Sequence, residues 1–354
     1  CGKTSLKELI GMALNKICNV TYSRKSFNNK FGVPLSLFNL KIKDDYGVFE
    51  VGMDKKGEIN YLSKIIKPDI GVITNISYAH SKNFKNLYGI AKAKSEILDN
   101  IIENGTAVIN ADDKFYNFLK LKAYKKNLKI ISFSKKNKSN IKLEKIINFK
   151  NINNLKININ GKIKSFIIKK DLKIHVDNVL ASLAVISNIL DIISLNKKFF
   201  FNYKLPRGRG DYHYIKINKK RIKLIDESYN SNPLSLKFAL NKFNEIKNGS
   251  KRKIVLLGDM LELGKFSKKL HRNVSKVINR SGINKVYVIG KDIKETFYGL
   301  SKSKKGKILR NKNEIYELIK RDLNNNDHLM IKGSNSTGLQ QIVSNIKKGK
   351  IYAL

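Results

Sequence analysis

The chain has 354 residues, enough for two domains of ordinary size, and 42% of them are hydrophobic, as in globular proteins. No uninterrupted apolar run approaches the roughly 20 residues that a membrane-spanning helix needs, so we expect no membrane insertion. Two cysteines are too few for a disulfide framework or a zinc site, which favours a reducing compartment such as the cytoplasm.

The net charge of +43 comes from 71 basic and 28 acidic residues. Such a charge raises nucleic acid or an anionic membrane as a partner. The lysines, however, are spread through nearly every segment together with abundant Ile and Asn, as A/T-rich coding would produce. A nucleic-acid-binding protein is expected to concentrate its basic residues on one face. We therefore expect no specific nucleic-acid partner.

The first residues, CGKTSLKEL, match the end of a phosphate-binding loop. The complete loop reads G-x-x-x-x-G-K-[ST], and Gly2, Lys3 and Thr4 supply only its last three positions. Apolar residues spaced near 3.6 predict a helix over 4–17. The N-terminal amides of that helix would face an anion.

Short β-branched runs separated by helical stretches predict a parallel sheet with crossover helices in the first half. These runs are YGVFEVG (46–52), IGVITNI (70–76), TAVINA (106–111) and KIISFS (129–134). Residues 135–172 alternate polar and apolar, which predicts a small antiparallel extension, and a helix is predicted over 177–192.

The periodicity breaks at LPRGRGDYHY (205–214), where we place a domain boundary. The expected domains are 1–204 and 205–354. A second α/β alternation follows the boundary. Its predicted strands are KIVLLGDM (253–260), KVYVIG (285–290) and HLMIKG (328–333).

Polar residues follow several predicted strands of the first half. In an open α/β sheet, ligands bind at the carboxyl ends of the strands. Glu50 is placed there to hold a metal or polarise water, although a solvated glutamate is an equal alternative. Thr74, Asn75 and His80 follow the next strand, but a lone histidine is more often a surface or satisfied core residue. Lys94 has no claim from composition alone in so basic a chain.

Three polar segments follow strands of the second half. LIDESYNSNP includes Asp226, Glu227, Asn230 and Asn232 before Pro233, which can begin a helix. The alternative is a polar strand-to-helix loop with an Asn cap. LLGDMLELG and IKGSNSTG present glycines and polar groups in the same way, and each is weak evidence alone.

Taken in order, these segments resemble the Mur ligase family of ATP-dependent, peptide-bond-forming enzymes of cell-wall synthesis. The matching stretches are GKTSLKE, FNNKFGVPLSL, FEVGMDKKGEINYLSKIIKPDIGVITNISYAH, AKAKSEIL, DESYNSNPLSL, LGDMLELG, LHRNV and IKGSNSTG. Among them, GMDKKGEI, FNNKFGVP and GDMLELG are similar to the branch that adds D-alanyl-D-alanine to UDP-N-acetylmuramoyl-tripeptide.

The resemblance implies an α/β protein with a central, mostly parallel P-loop-type ATPase domain over 1–204. A Rossmann-like C-terminal domain would occupy 205–354. On this expectation the chain begins inside the phosphate loop and lacks the family's N-terminal UDP-sugar-binding domain. The chain as given would then have little or no ligase activity. We also expect a monomer.

The resemblance also implies an ATP and Mg²⁺ site in the first domain. Lys3 would contact the ATP phosphates, and Thr4 would bind Mg²⁺. Glu50 and His80 would hold magnesium between nucleotide and substrate. Lys94 matches a lysine that relatives carbamylate, which would turn its cation into a carboxylate able to hold a second Mg²⁺.

Further residues would contact ATP or the acceptor. The residues expected to line the nucleotide site are Gly2, Asn75, Asn178, Arg209, Asp226, Asn230 and Asn232. Among them, Asn178 would contact adenine. Arg209 and Asp226 lie at hinge positions and would touch phosphate and ribose. Lys332 and Ser334 would face the incoming dipeptide. Many relatives have Arg after this serine, where this chain has Asn335, so the dipeptide contact departs from the family pattern.

The implied reaction activates a carboxylate as an acyl phosphate, which the amine of D-alanyl-D-alanine then attacks. Two alternatives stay open from the sequence. One is a sister enzyme, either another Mur ligase or a folylpolyglutamate synthase, with the same ATP chemistry and a different acceptor. The other is a basic P-loop protein that binds nucleic acid, which leaves the ordered set of motifs unexplained.

Overall fold

The computed structural model describes residues 2–79, 81–203, 206, 208–217, 219–246 and 251–349. The chain forms two compact units. The first comprises Cys1–Ile76 with Asn83–Lys204, and the second comprises Ser77–Lys82 with Leu205–Leu354. Within the described ranges, every helix is too short or too polar to span a bilayer.

The first unit alternates helices and short strands before it ends in longer strands. Its elements in chain order are α1 (Lys3–Leu14), β1 (Val20–Tyr22), α2 (Gly32–Leu37), β2 (Tyr46–Val48), α3 (Glu58–Ile66), β3 (Ile70–Ile73), α4 (Leu87–Lys94), β4 (Thr106–Asn110), α5 (Tyr116–Tyr124), β5 (Lys129–Ser134), β6 (Ile141–Asn148), β7 (Ile152–Ile159), β8 (Lys162–Lys169) and α6 (Val176–Ile186).

Two sheets organise this unit. Strands β1 and β2 form a parallel pair, and β3 to β8 form a six-stranded sheet in chain order. Pairing is parallel from β3 to β6 and antiparallel from β6 to β8, which confirms the antiparallel extension predicted over 135–172. Helix α6 contacts both α1 and β4 to β6, so almost all of its residues are buried.

The second unit contains a single six-stranded sheet within its described residues. Its elements in chain order are β9 (Asp211–Ile217), β10 (Lys220–Glu227), α7 (Pro233–Glu245), β11 (Lys253–Gly258), α8 (Ser267–Asn279), β12 (Lys285–Ile289), α9 (Lys294–Tyr298), β13 (Lys305–Leu309), α10 (Lys312–Glu317), β14 (His328–Lys332) and α11 (Leu339–Lys347).

The strand order is β13-β12-β11-β14-β10-β9, and only β9 is antiparallel to its neighbour. Apolar residues of α7 and α8 pack on one face of the sheet, while those of α10 and α11 pack on the other. A parallel sheet buried on both faces explains the near-continuous apolar runs of its strands. The α/β class expected from the sequence is confirmed.

Candidate nucleotide and metal site

Helix α1 begins without a side-chain cap, and its first turn contains no acidic residue. The N-cap, Gly2, has a φ of 80°, a left-handed conformation that glycine adopts without strain. A Cβ there would lie 3.2 Å from Asn178 Oδ1, so glycine allows the two segments to approach closely. The first amides of the helix can therefore serve an anion, with Asn178 beside them.

The first turns of α1 also hold the loop that follows β1. Thr4 Oγ1 lies 3.2 Å from Ser26 Oγ. Lys7 is only 3% exposed, and its Nζ donates hydrogen bonds to the carbonyl oxygens of Ser23 and Lys25. The loop over 23–26 is thus fixed against the helix terminus.

Glu50 lies just after β2 and is 5% exposed. Its Oε1 accepts a 2.7 Å hydrogen bond from Asn28 Nδ2, and its backbone N–H donates to Ser23 Oγ at 3.2 Å. Its Oε2 is buried and has no hydrogen-bond partner among the described residues. A buried carboxylate oxygen without a donor is costly, and a bound cation would remove that cost.

Lys94 ends helix α4, and its Nζ donates a 2.7 Å hydrogen bond to the carbonyl oxygen of Asn75. Burial lowers the pKa of Lys94 to about 7, with a further contribution from the charge of Lys3, while Asp113 opposes the shift. The structure therefore brings Lys3, Lys94 and Asp113 within electrostatic reach of one another. Near pH 7, neutral and charged forms of Lys94 coexist.

His80, a predicted metal ligand, lies outside the described residues. In the part of the chain that the structure describes, no group of three or more His, Cys, Asp or Glu side chains is arranged to hold a metal ion. Glu50 is the carboxylate of the predicted metal set. It is linked through Asn28 to the loop that contacts Thr4.

In the second unit, Asp226 is 3% exposed and both of its carboxylate oxygens have protein partners. Oδ1 accepts hydrogen bonds from Ser228 N at 3.1 Å and from Ser228 Oγ at 2.6 Å. Oδ2 accepts a 2.6 Å hydrogen bond from Lys347 Nζ on α11. The predicted ribose contact, which stays a prediction, would share or replace one of these bonds.

The guanidinium of Arg209 lies 4.4 Å from the centre of the Tyr229 ring. The neighbouring Gly208 has a φ of 72°, and a Cβ there would come 2.9 Å from Tyr229 Cβ. Glycine therefore permits the close approach that places Arg209 over the ring. The predicted phosphate contact of Arg209 stays a prediction.

The two predicted asparagines of the loop after β10 have backbone roles in this structure. Asn232 caps α7 by accepting a 2.9 Å hydrogen bond from Ser235 N, which confirms the Asn cap considered above. Asn230 Oδ1 accepts from Ser231 N at 2.8 Å, and its carbonyl accepts from Lys332 Nζ at 2.9 Å. Their contact with a nucleotide stays a prediction.

Lys332 and Ser334 join loops within the second unit. Lys332 is 2% exposed, and its Nζ forms an ion pair with Glu227 Oε2 at 3.2 Å. Ser334 Oγ accepts from Leu261 N at 2.9 Å and donates to Ser231 O at 3.2 Å. A contact between either residue and a dipeptide, which stays a prediction, would have to share these groups.

Two protein-family models match the sequence of this chain. The model of the Mur ligase middle domain matches residues 1–186, and that of the Mur ligase glutamate ligase domain matches residues 213–335. The chain belongs to the Mur ligase family. This confirms the resemblance drawn from the ordered sequence segments.

The similarity covers nearly the whole of this Mur ligase chain. It is 34% identical over 362 residues to the UDP-N-acetylmuramoyl-tripeptide–D-alanyl-D-alanine ligase of Buchnera aphidicola subsp. Acyrthosiphon pisum, covering 98% of this chain and 75% of that protein. MurF from Acinetobacter baumannii superposes with a TM-score of 0.86 at 24% identity, covering 98% and 75% of the two chains. MurF ligase from Thermotoga maritima, solved with ADP, gives a TM-score of 0.84 at 21% identity, covering 98% and 77%.

Sequence reasoning missed three residues of this candidate site. Asn28 was part of the FNNKFGVP stretch but had no assigned role. Lys7 was indistinguishable from the many solvated lysines of a chain with a charge of +43. Asp113, which faces Lys94 and accepts a 2.6 Å hydrogen bond from Ile76 N, follows β4 at the same kind of strand end that drew attention to Glu50.

Proposed function

We propose that this Mur ligase uses ATP to join D-alanyl-D-alanine to UDP-N-acetylmuramoyl-tripeptide through an amide bond, in the synthesis of peptidoglycan precursors. The observation that carries the proposal is the 34% identity, across 98% of the chain, to a Buchnera ligase of that name. The predicted cytoplasmic location is consistent with this role.

We assign ATP binding to residues 1–204 and acceptor binding to residues 205–354. The two family models, which match 1–186 and 213–335, support this division. In the first domain, the uncapped N-terminus of α1 and the Lys3 ammonium would bind and neutralise phosphate oxygens. Asn178 lies beside Gly2, where it would contact the bound nucleotide.

The residues present in the first unit fit Mg²⁺. The buried Glu50 Oε2 offers a hard carboxylate oxygen with no competing donor among the described residues, and Thr4 adds a hydroxyl at the start of α1. When bound, Mg²⁺ would offset negative charge on the phosphates. Roles for His80 and a carbamylated Lys94 stay predictions from the family resemblance.

The reaction would proceed in two displacements. The terminal carboxylate of the tripeptide attacks the γ-phosphorus of ATP, which gives an acyl phosphate and ADP. The amine of D-alanyl-D-alanine then attacks the acyl carbon, the bond between that carbon and the phosphate oxygen breaks, and inorganic phosphate leaves with the proton that the amine gives up. Lys3 would stabilise charge on the transferred group. The phosphate contact predicted for Arg209 from the family resemblance would come from a guanidinium that lies over the Tyr229 ring.

An acceptor panel tests the proposal. ADP release by the full-length protein is measured with ATP, Mg²⁺ and UDP-N-acetylmuramoyl-tripeptide, and with D-alanyl-D-alanine, L-glutamate or diaminopimelate as acceptor. Of the three acceptors, we expect only D-alanyl-D-alanine to support ADP release. Glutamate-dependent turnover without any response to D-alanyl-D-alanine would overturn the proposed acceptor.

A further inference from the structure

We propose that Asn28 is a positioning residue that presents Oε2 of Glu50 to a divalent cation. This inference rests on the proposed function, because it takes Glu50 as a metal ligand. Asn28 Nδ2 donates to Glu50 Oε1 at 2.7 Å, while Oε2 has no partner among the described residues. A carboxylate accepts hydrogen bonds and donates none, so the amide nitrogen must face it. This hydrogen bond therefore occupies Oε1 and leaves Oε2 as the oxygen that can bind the cation.

Asn28 is itself held against the segment that contains Glu50. Its carbonyl oxygen accepts a 2.7 Å hydrogen bond from Gly52 N. A Cβ at position 52 would lie 2.9 Å from Asn28 Cγ, so glycine makes room for the amide side chain. Ser23 Oγ adds a third link by accepting from Glu50 N at 3.2 Å. The carboxylate is thus fixed through both its backbone and its side chain.

Helix α1 holds the same loop from the other side. The buried Lys7 ammonium binds the carbonyl oxygens of Ser23 and Lys25, and Thr4 Oγ1 contacts Ser26 Oγ. The loop over 23–28 therefore connects the helix terminus that would bind phosphate to the carboxylate that would bind the cation. Such outer partners orient metal ligands, and their loss typically weakens metal affinity about 10- to 100-fold.

The test measures metal binding directly. Mn²⁺ is titrated into the full-length protein with a non-hydrolysable ATP analogue, and free Mn²⁺ is followed by electron paramagnetic resonance. Asn28→Ala should raise the Mn²⁺ dissociation constant about 10- to 100-fold. Affinity for the analogue in the absence of metal should not change. Gly52→Ala, which keeps the amide but displaces it, should weaken Mn²⁺ binding in the same direction.

The matched control is Asn39→Ala, because Asn39 is exposed and its amide bonds only to Leu35 O among the described groups. This variant should bind Mn²⁺ as the wild type does. A purely structural role for Asn28 would lower thermal stability and metal-free nucleotide affinity without a selective loss of Mn²⁺ affinity. That pattern would overturn the inference.

Glu50→Gln separates this inference from the proposed function. If Glu50→Gln abolishes Mn²⁺ binding while Asn28→Ala leaves it unchanged, the metal site stands and the positioning role is wrong. If Glu50→Gln itself leaves Mn²⁺ binding unchanged, the metal site proposed for the ligase is wrong. Should Asn28→Ala fail to fold, Gly52→Ala decides, since unaltered Mn²⁺ affinity in that variant contradicts the positioning role.

Discussion

Two buried glutamates, one in each unit, lie at strand ends in different electrostatic surroundings. Glu227 ends β10, is 9% exposed and pairs with the buried Lys332 ammonium at 3.2 Å. Glu50 follows β2, is 5% exposed and receives a neutral amide hydrogen bond from Asn28. Among the described residues, its second oxygen has no partner. The Glu227 carboxylate is therefore neutralised by a lysine of the same fold, whereas the Glu50 carboxylate has an oxygen available to bind a cation.

The difference shows what separates a structural carboxylate from a candidate ligand. Both side chains lie where α/β proteins bind ligands, so position alone does not distinguish them. A buried carboxylate with its own lysine contributes to the folded state only as a pair. A buried carboxylate without a cation destabilises the folded state, and binding of a cation removes that destabilisation. Ionisable groups in such surroundings concentrate at functional sites.

The largest expected effect follows from breaking the Glu227 pair. Lys332→Met leaves Glu227 buried without its cation, which should lower the free energy of unfolding of the second unit by about 3–5 kcal/mol. Hydrogen exchange of β10 and β14 under increasing denaturant measures this loss. The double variant with Glu227→Gln should regain part of it. A loss below about 1 kcal/mol for the single variant would contradict a structural role.

Glu50→Gln should have the opposite signature. The free energy of unfolding without metal should stay level or rise, because the variant removes a buried charge that has no cation. The ligase rate should fall about 10²- to 10³-fold, as when a charge-stabilising group is lost from an active site. Denaturant unfolding and ADP release provide the two readings. A loss of stability as large as that of Lys332→Met would erase the proposed contrast.

A buried histidine of the second unit should make the stability of that unit depend on pH. His271 is fully buried, its Nε2 accepts from Met260 N at 2.9 Å, and burial lowers its pKa below the usual value. The unfolded chain therefore takes up the proton first. The contribution of neutral His271 to the stability of the second unit should be fully present above about pH 6.5. It should be lost as the pH falls from there through the lower pKa of the folded state.

The loss should approach about 1–3 kcal/mol, because protonation deprives Met260 N–H of its buried acceptor. Free energies of unfolding measured from pH 7.5 to pH 4.5 test this. His271→Gln keeps an acceptor without a titrating group, so its stability should depend less on pH over this range. An equally steep dependence in the variant would assign the effect to other groups.

The smallest effect concerns Arg209. Tyr229→Leu removes the ring that the Arg209 guanidinium contacts, an interaction worth about 0.5–1 kcal/mol at such sites. On the proposed phosphate contact of Arg209, affinity for ATP should therefore fall about two- to fivefold. Equilibrium binding of a fluorescent ATP analogue measures this change. Tyr229→Phe keeps the ring and should bind as the wild type does. Equal losses in both variants would point to the hydroxyl instead of the ring.

Much of the backbone could be predicted from the sequence. The run KIISFS predicts β5 at its observed bounds, Lys129–Ser134, because β-branched and aromatic residues fit a pleated, buried strand. The helix predicted over 4–17 is observed as Lys3–Leu14. Strand β1, Val20–Tyr22, was missed because three residues are too short to show a period.

The pairing of buried polar side chains could not be predicted in the same way. Lys332 and Glu227 are 105 positions apart, and Asn28 and Glu50 are 22 positions apart, so no local pattern links them. Lys332 was assigned to substrate from its motif, yet its ammonium is buried against Glu227. In a chain with 71 basic residues, only the folded structure distinguishes a buried lysine from a solvated one.

The most direct test compares how Mg²⁺ changes the melting temperature of three forms of the protein, each saturated with a non-hydrolysable ATP analogue. The wild type and Glu227→Gln should both gain stability on addition of Mg²⁺, even though the variant starts from a lower melting temperature. Glu50→Gln should gain none. An equal Mg²⁺-dependent gain in Glu50→Gln would contradict the assignment of Glu50 as the carboxylate left for a cation.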